Sequence, residues 1–224
     1  MTQHGPMTPD QLGEMVAAND AKIEGPLSEL LGLVVRKEDS AGDVVDWGRA
    51  RAVNGHQFPV DYMNFIERLG GGSFEESLNV RPPLVAASDA EHRIRAISPE
   101  SLAAPLTHRW TDPDAAAIYR VEDMVIWGET AGADTLCWIT GDAAPDAWPV
   151  AVYSRNDLAW TVYHCTLTEF ILRTLRAEFD VCPLSDAYLF GLESPRLLSA
   201  REEAEMMNQG SDPKDVGHPK VPSA

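Results

Sequence analysis

Residues 124–164 read MVIWGETAGADTLCWITGDAAPDAWPVAVYSRNDLAWTVYH, and their punctuation decides the fold. Short apolar runs alternate with turn residues. Met124-Val125-Ile126-Trp127 is followed by a turn at Thr130 to Asp134, then by Thr135-Leu136-Cys137-Trp138-Ile139 and a second turn over Gly141 to Pro145. Trp148, Val150 and Val152 fall on one face of a period-two pattern, and Leu158, Trp160 and Val162 on another. Strands this short, joined by turns this tight, predict an antiparallel meander. The meander hands over to a helix at Thr166-Leu167-Thr168-Glu169, where Thr166 and Glu169 stand at capping-box spacing. Leu167, Phe170, Ile171 and Leu175 then supply one apolar helical face.

Upstream, Phe58 to Leu69 predicts the clearest helix of the chain. Pro59 suits a first turn, where its missing N–H has no partner to lose, and Asp61 lies near the positive end of the helix dipole. Tyr62, Phe65, Ile66 and Leu69 follow the i, i+3, i+4, i+7 spacing of a buried face, and Gly70 is placed to close the helix. The glycines 70–72 invite a phosphate-loop reading. They lack the Gly-Lys-Ser/Thr ending and lead into Glu75-Glu76, so a helix stop and turn is expected. Shorter helices are expected from Pro9 to Asn19, from Pro26 to Leu31 and from Asp43 to Ala52, and a short strand at Leu84-Val85-Ala86. Residues 88–120, broken by Pro99, Pro105 and Pro113, resist assignment. The expected organisation is a loose leader over 1–9, one α+β domain over 10–182, an extension with a short helix over 183–209, and a disordered tail over 210–224. Its sheet is expected to be mainly antiparallel and twisted, with N-terminal helices and a C-terminal helix packed on it.

Composition narrows the function. An apolar fraction of 44% fits a globular chain, and no apolar run approaches a membrane span. The first six residues have neither a basic flank nor an apolar stretch, so no secretory signal is expected and the cytoplasm is. Cys137, Cys165 and Cys182 are odd in number and widely spaced, which predicts reduced, packed thiols rather than disulfides or zinc. None of His4, His56, His92, His108, His164 and His218 forms a metal-ligand pair, so no metal and no cofactor is expected. His164 adjoins Cys165, but neighbouring strand residues point to opposite faces, a poor arrangement for a nucleophile and its base. No Gly-x-Ser-x-Gly elbow is present.

The formal net charge of −17 argues against nucleic acid and anionic membranes and favours a basic partner. Asp112, Asp114, Glu122, Asp123, Glu129, Asp134, Asp142 and Asp146 crowd one stretch of chain, several in turns beside Trp127, Trp138 and Trp148. With Trp148 as an aromatic anchor, these acids are the candidate partner-binding residues. The competing reading makes the tryptophans core and the acids solvated turn residues.

The order of these landmarks resembles the SUKH superfamily of bacterial toxin-immunity proteins, in particular its actinobacterial members. Asp46-Trp47 on an early helix precedes Phe58-Pro59-Val60-Asp61-Tyr62 and its closing glycines 70–72. Trp127-Gly128, the Gly132 to Asp134 turn, Trp148-Pro149-Val150 and Thr168-Glu169-Phe170 follow in order. The resemblance covers roughly residues 25–180. It implies an α+β fold without catalytic residues that neutralises a toxin, often a nuclease, by binding it. Trp47, Pro59, Tyr62, Phe65, Gly70, Trp127 and Gly132 carry over as fold-shaping positions. The expected partner is thus a basic toxin domain bound stoichiometrically by a monomer or weak dimer. A regulatory scaffold, like the superfamily's eukaryotic cell-wall regulators, is the alternative, and a hydrolase or transferase built on 88–120 is the remote one.

Overall fold

A computed structural model describes residues 25–36, 41–85, 96–102, 109–141, 144–199 and 202–203. The leader, the helix expected at Pro9 to Asn19 and the tail lie outside these residues. Helix α1 runs over 25–33. It is followed by α2 (Trp47–Asn54), α3 (Val60–Leu69), β1 (Gly72–Phe74), β2 (Leu78–Val80), α4 (Pro113–Ile118), β3 (Met124–Thr130) and β4 (Thr135–Ile139). Then come β5 (Val150–Ser154), β6 (Ala159–Tyr163), α5 (Leu167–Leu175) and β7 (Leu197–Ser199). All seven strands join one antiparallel sheet in the order β6-β5-β4-β3-β2-β1-β7. The protein is a single α+β domain, as its sequence predicts.

Helices α2, α4 and α5 each begin where a local side chain caps them. Asp46 accepts a hydrogen bond from the Arg49 amide at 3.0 Å and starts α2, which Gly55 ends in the left-handed conformation. The expected Asp43 start is therefore four residues early, and residues 43–46 lie outside the helix. Gly70 closes α3 at φ 81°, ψ 168°, a backbone that disfavours any side chain. The chain then enters β1 directly, where a turn was expected. A Cβ on Gly72 would stand 2.0 Å from the Leu198 carbonyl oxygen, so the glycine is what lets β7 approach. The strand expected at Leu84 to Ala86 is absent from Leu84 and Val85. The pairing strand lies earlier, at β2, because Glu75 and Glu76 adopt positive φ and turn the chain back at once.

Both faces of the sheet are covered. Leu136, Trp138, Val150 and Val152 point toward α1, α3 and α5, meeting Leu30, Phe65, Ile66, Phe170 and Ile171. The alternate residues Met124, Cys137, Ile139, Ala151, Tyr153 and Trp160 form a second core with Val121, over which Trp110 and Tyr119 pack. This two-sided burial explains why the strands read as continuous apolar runs. Residues 109–120, the described end of the unassigned stretch, thus cover the far face through Trp110 and Tyr119.

The sheet edges are also paired. Trp160 donates its amide to the Arg109 carbonyl at 2.9 Å and accepts from Thr111 N–H at 2.8 Å, while the Leu197 amide donates to Val35 at 3.0 Å. Covered edges deny other chains a template. Of the extension expected over 183–209, residues 183–199 pack with the domain rather than apart from it. Leu184, Leu189 and Leu197 enter the main core, and β7 is an edge strand. After β7, Ser199 and Glu202 form a capping box: Glu202 Oε2 accepts from the Ser199 amide at 2.9 Å, and Ser199 Oγ accepts from the Glu202 amide at 3.2 Å.

Candidate functional site

The N-termini of α3 and α5 lie side by side, and the capping needs of both helices are met by acids and a threonine. Asp146, from the 3₁₀ turn Pro145–Ala147, accepts from the Val60 amide at 2.7 Å. Asp61 in the first turn of α3 reaches across and accepts from the Thr168 amide of α5 at 2.9 Å. Thr166 accepts from the Glu169 amide at 3.3 Å. Between these groups opens a cleft of about 270 Å³, walled by Pro59, Pro145, Pro149, Trp138 and Trp148, with His164, Cys165 and Glu169 at the α5 side.

Its deepest acid is Asp61, 3% exposed, whose Oδ1 has no hydrogen-bond partner. Burial raises its carboxyl above the ordinary range, while the Thr168 amide and the Thr168 and Thr166 hydroxyls pull the other way. Burial, aided by Glu169, pushes the Cys165 thiol up to about 12. A thiol held protonated is a weak nucleophile. Among the described residues no group of His, Cys, Asp and Glu side chains is arranged to hold a metal ion. Of the described residues in the unassigned stretch 88–120, namely 96–102 and 109–120, none lines the cleft.

The acids expected to form one patch stand in different environments. Asp112 caps α4, accepting from the Asp114 amide at 2.9 Å, and both are exposed. Glu122 and Asp123 are exposed on the 3₁₀ turn Val121–Asp123. Glu129 pairs with Arg81 across β2 and β3. Asp134, only 1% exposed, is a structural hub accepting from Arg155, Ser185 and Thr130. Asp142 lies outside the described residues. Among the described candidates only Asp146 and Trp148 meet at the cleft, where Trp148 is also part of the main core. Of the other tryptophans, Trp127 is wholly core and Trp138 reaches the cleft from below.

The fold-shaping residues have packing and bonding roles. Trp47 donates to Glu67 at 2.6 Å and packs on Phe58 and Tyr62. Tyr62 donates to the Arg81 carbonyl at 2.7 Å, and its ring meets Trp138 edge-on. Phe65 is fully buried, Pro59 occupies the N-cap position of α3, and Gly132 sits in the exposed β3–β4 turn.

Asp61, His164 and Glu169 are the cleft residues that sequence reasoning missed as site residues. Their signal was present only as two separate helix starts, whose convergence is long-range. Among the described residues no helix is long and apolar enough to cross a membrane. No family model, no curated protein and no solved structure matches this chain.

Proposed function

We propose that the protein acts in the cytoplasm as an immunity protein of the SUKH type, neutralising a basic toxin domain of nuclease type by stoichiometric binding. The observation that carries this reading is the acidic, aromatic-walled cleft between α3 and α5, on a chain of net charge −17. The ordered motifs on α2, α3, β5 and α5 support the family part of it. A nuclease grips phosphates with a basic face, and an acidic surface that covers this face excludes the substrate.

The test is affinity capture from the native cell lysate at low and high salt, with partners read by mass spectrometry. The expected result is one basic partner in a 1:1 complex, weakened by salt, whose toxic activity falls in proportion to added protein. Recovery of only acidic or housekeeping proteins, or a complex indifferent to salt, overturns the reading.

A further inference from the structure

We infer that the cleft between α3 and α5 is a socket for one arginine side chain of a protein partner. This rests on the proposed binding function and names what that function grips.

Helix N-termini ordinarily attract anions, because their first amides are unpaired. Here amides of both helix starts are already occupied: Val60 by Asp146, Thr168 by Asp61 and Glu169 by Thr166. What the walls still offer is acceptor capacity. Asp61 Oδ1 is buried without a hydrogen-bond partner, its nearest donors being the Thr166 and Thr168 hydroxyls, and Asp146, with one oxygen on the Val60 amide, and Glu169 stand in the same lining. Among the described residues no lysine or arginine lines the cleft itself; Arg173, four residues along α5, pairs with the half-exposed Glu169 at 3.8 Å and is the one cation a guest would have to displace there. A buried carboxylate oxygen lacking a donor is costly, and a cationic donor entering the cleft relieves that cost.

Size and wall chemistry select the cation. A volume of about 270 Å³ falls just below the roughly 300–1,000 Å³ of small-molecule pockets and suits one long side chain. Trp138 and Trp148 give the walls an aromatic character that favours a flat, weakly hydrated guanidinium over a compact, strongly hydrated ammonium. The guanidinium fork also matches carboxylates at more than one point of the lining.

The probe is N-acetyl-arginine amide, titrated into the ¹⁵N-labelled full chain while the indole N–H signals of Trp138 and Trp148 are followed. The expected result is a saturable shift confined to cleft residues and at least tenfold weaker binding of N-acetyl-citrulline amide, which keeps the shape and loses the charge. Asp61→Asn and Glu169→Gln should each weaken the arginine probe several-fold. Glu169 is half-exposed, so its variant folds even if the Asp61 variant does not. Equal responses to arginine and citrulline, or a response that survives both substitutions, overturns the socket. Arginine binding in the cleft with no basic protein captured would sink the toxin reading and leave the socket standing. Capture of the toxin at undiminished affinity by the Asp61→Asn/Glu169→Gln variant would do the reverse.

Discussion

Replacing Asp134 with alanine should destabilise the protein far more than loss of a turn acid on an exposed rim. Its carboxylate is buried where three segments meet. It accepts from Thr130 Oγ1 at 3.0 Å in its own turn, from the Arg155 amide at 2.9 Å in the β5–β6 turn, and from Ser185 N and Oγ at 2.8 and 2.5 Å. Hydrogen bonds to a charged acceptor contribute about 1.5–3 kcal/mol each, but they are not additive here, because water reaches some of the freed donors. A net loss of about 4 kcal/mol follows for Asp134→Ala. That corresponds to a fall in Tm of roughly 10 °C for a chain of this size. Asp134→Asn keeps one acceptor oxygen and turns an NH₂ toward donors, so it should lose about half as much. The assay is urea unfolding followed by tryptophan fluorescence, reading the midpoint with the slope unchanged. A rim acid would cost less than about 0.5 kcal/mol. An alanine variant within that limit refutes the hub.

Asp61→Asn should gain stability relative to the native chain as pH rises. Folding raises this carboxyl above its ordinary 3.8, so the site's contribution is full below that value and is lost as pH climbs through the folded-state pKa, a loss the amide does not share. Urea midpoints of the two proteins that keep a constant separation between pH 3 and 8 would contradict this. Gly72→Ala should cost at least about 2 kcal/mol and free residues 197–203 for limited proteolysis, because its methyl group collides with the Leu198 carbonyl; a native digestion pattern would argue otherwise. A disulfide reagent at pH 8 should modify Cys182 first, being half-exposed, and reach the buried Cys137 and Cys165 only on unfolding. Three thiols reacting at one rate would count against the packing described.

What was legible in the sequence was local. The α3 helix declared itself through the spacing of Tyr62, Phe65, Ile66 and Leu69, the α5 helix through Thr166 and Glu169, and the meander through its turns. What was hidden depended on partners far along the chain. Strands β1, β2 and β7 are only three residues each, too short for a period to show, and β1 needs β7 as a neighbour. Asp112 and Asp134 look alike in sequence, yet one is solvated and the other buried, because only the fold brings Ser185 to Asp134. The cleft was invisible for the same reason: Asp61 and Thr168 are 107 residues apart.

The seat of β7 beside β1 also sets a timetable for the chain as it is made. β1 is complete by Phe74, but the strand that shields its free edge ends at Ser199. At 5–20 residues per second, roughly ten seconds separate the two events. During that interval Gly72, Ser73 and Phe74 offer unsatisfied backbone to any neighbouring nascent chain. Truncation before Leu197 would make that exposure permanent, turning a monomer-sized domain into a seed for strand-to-strand polymers.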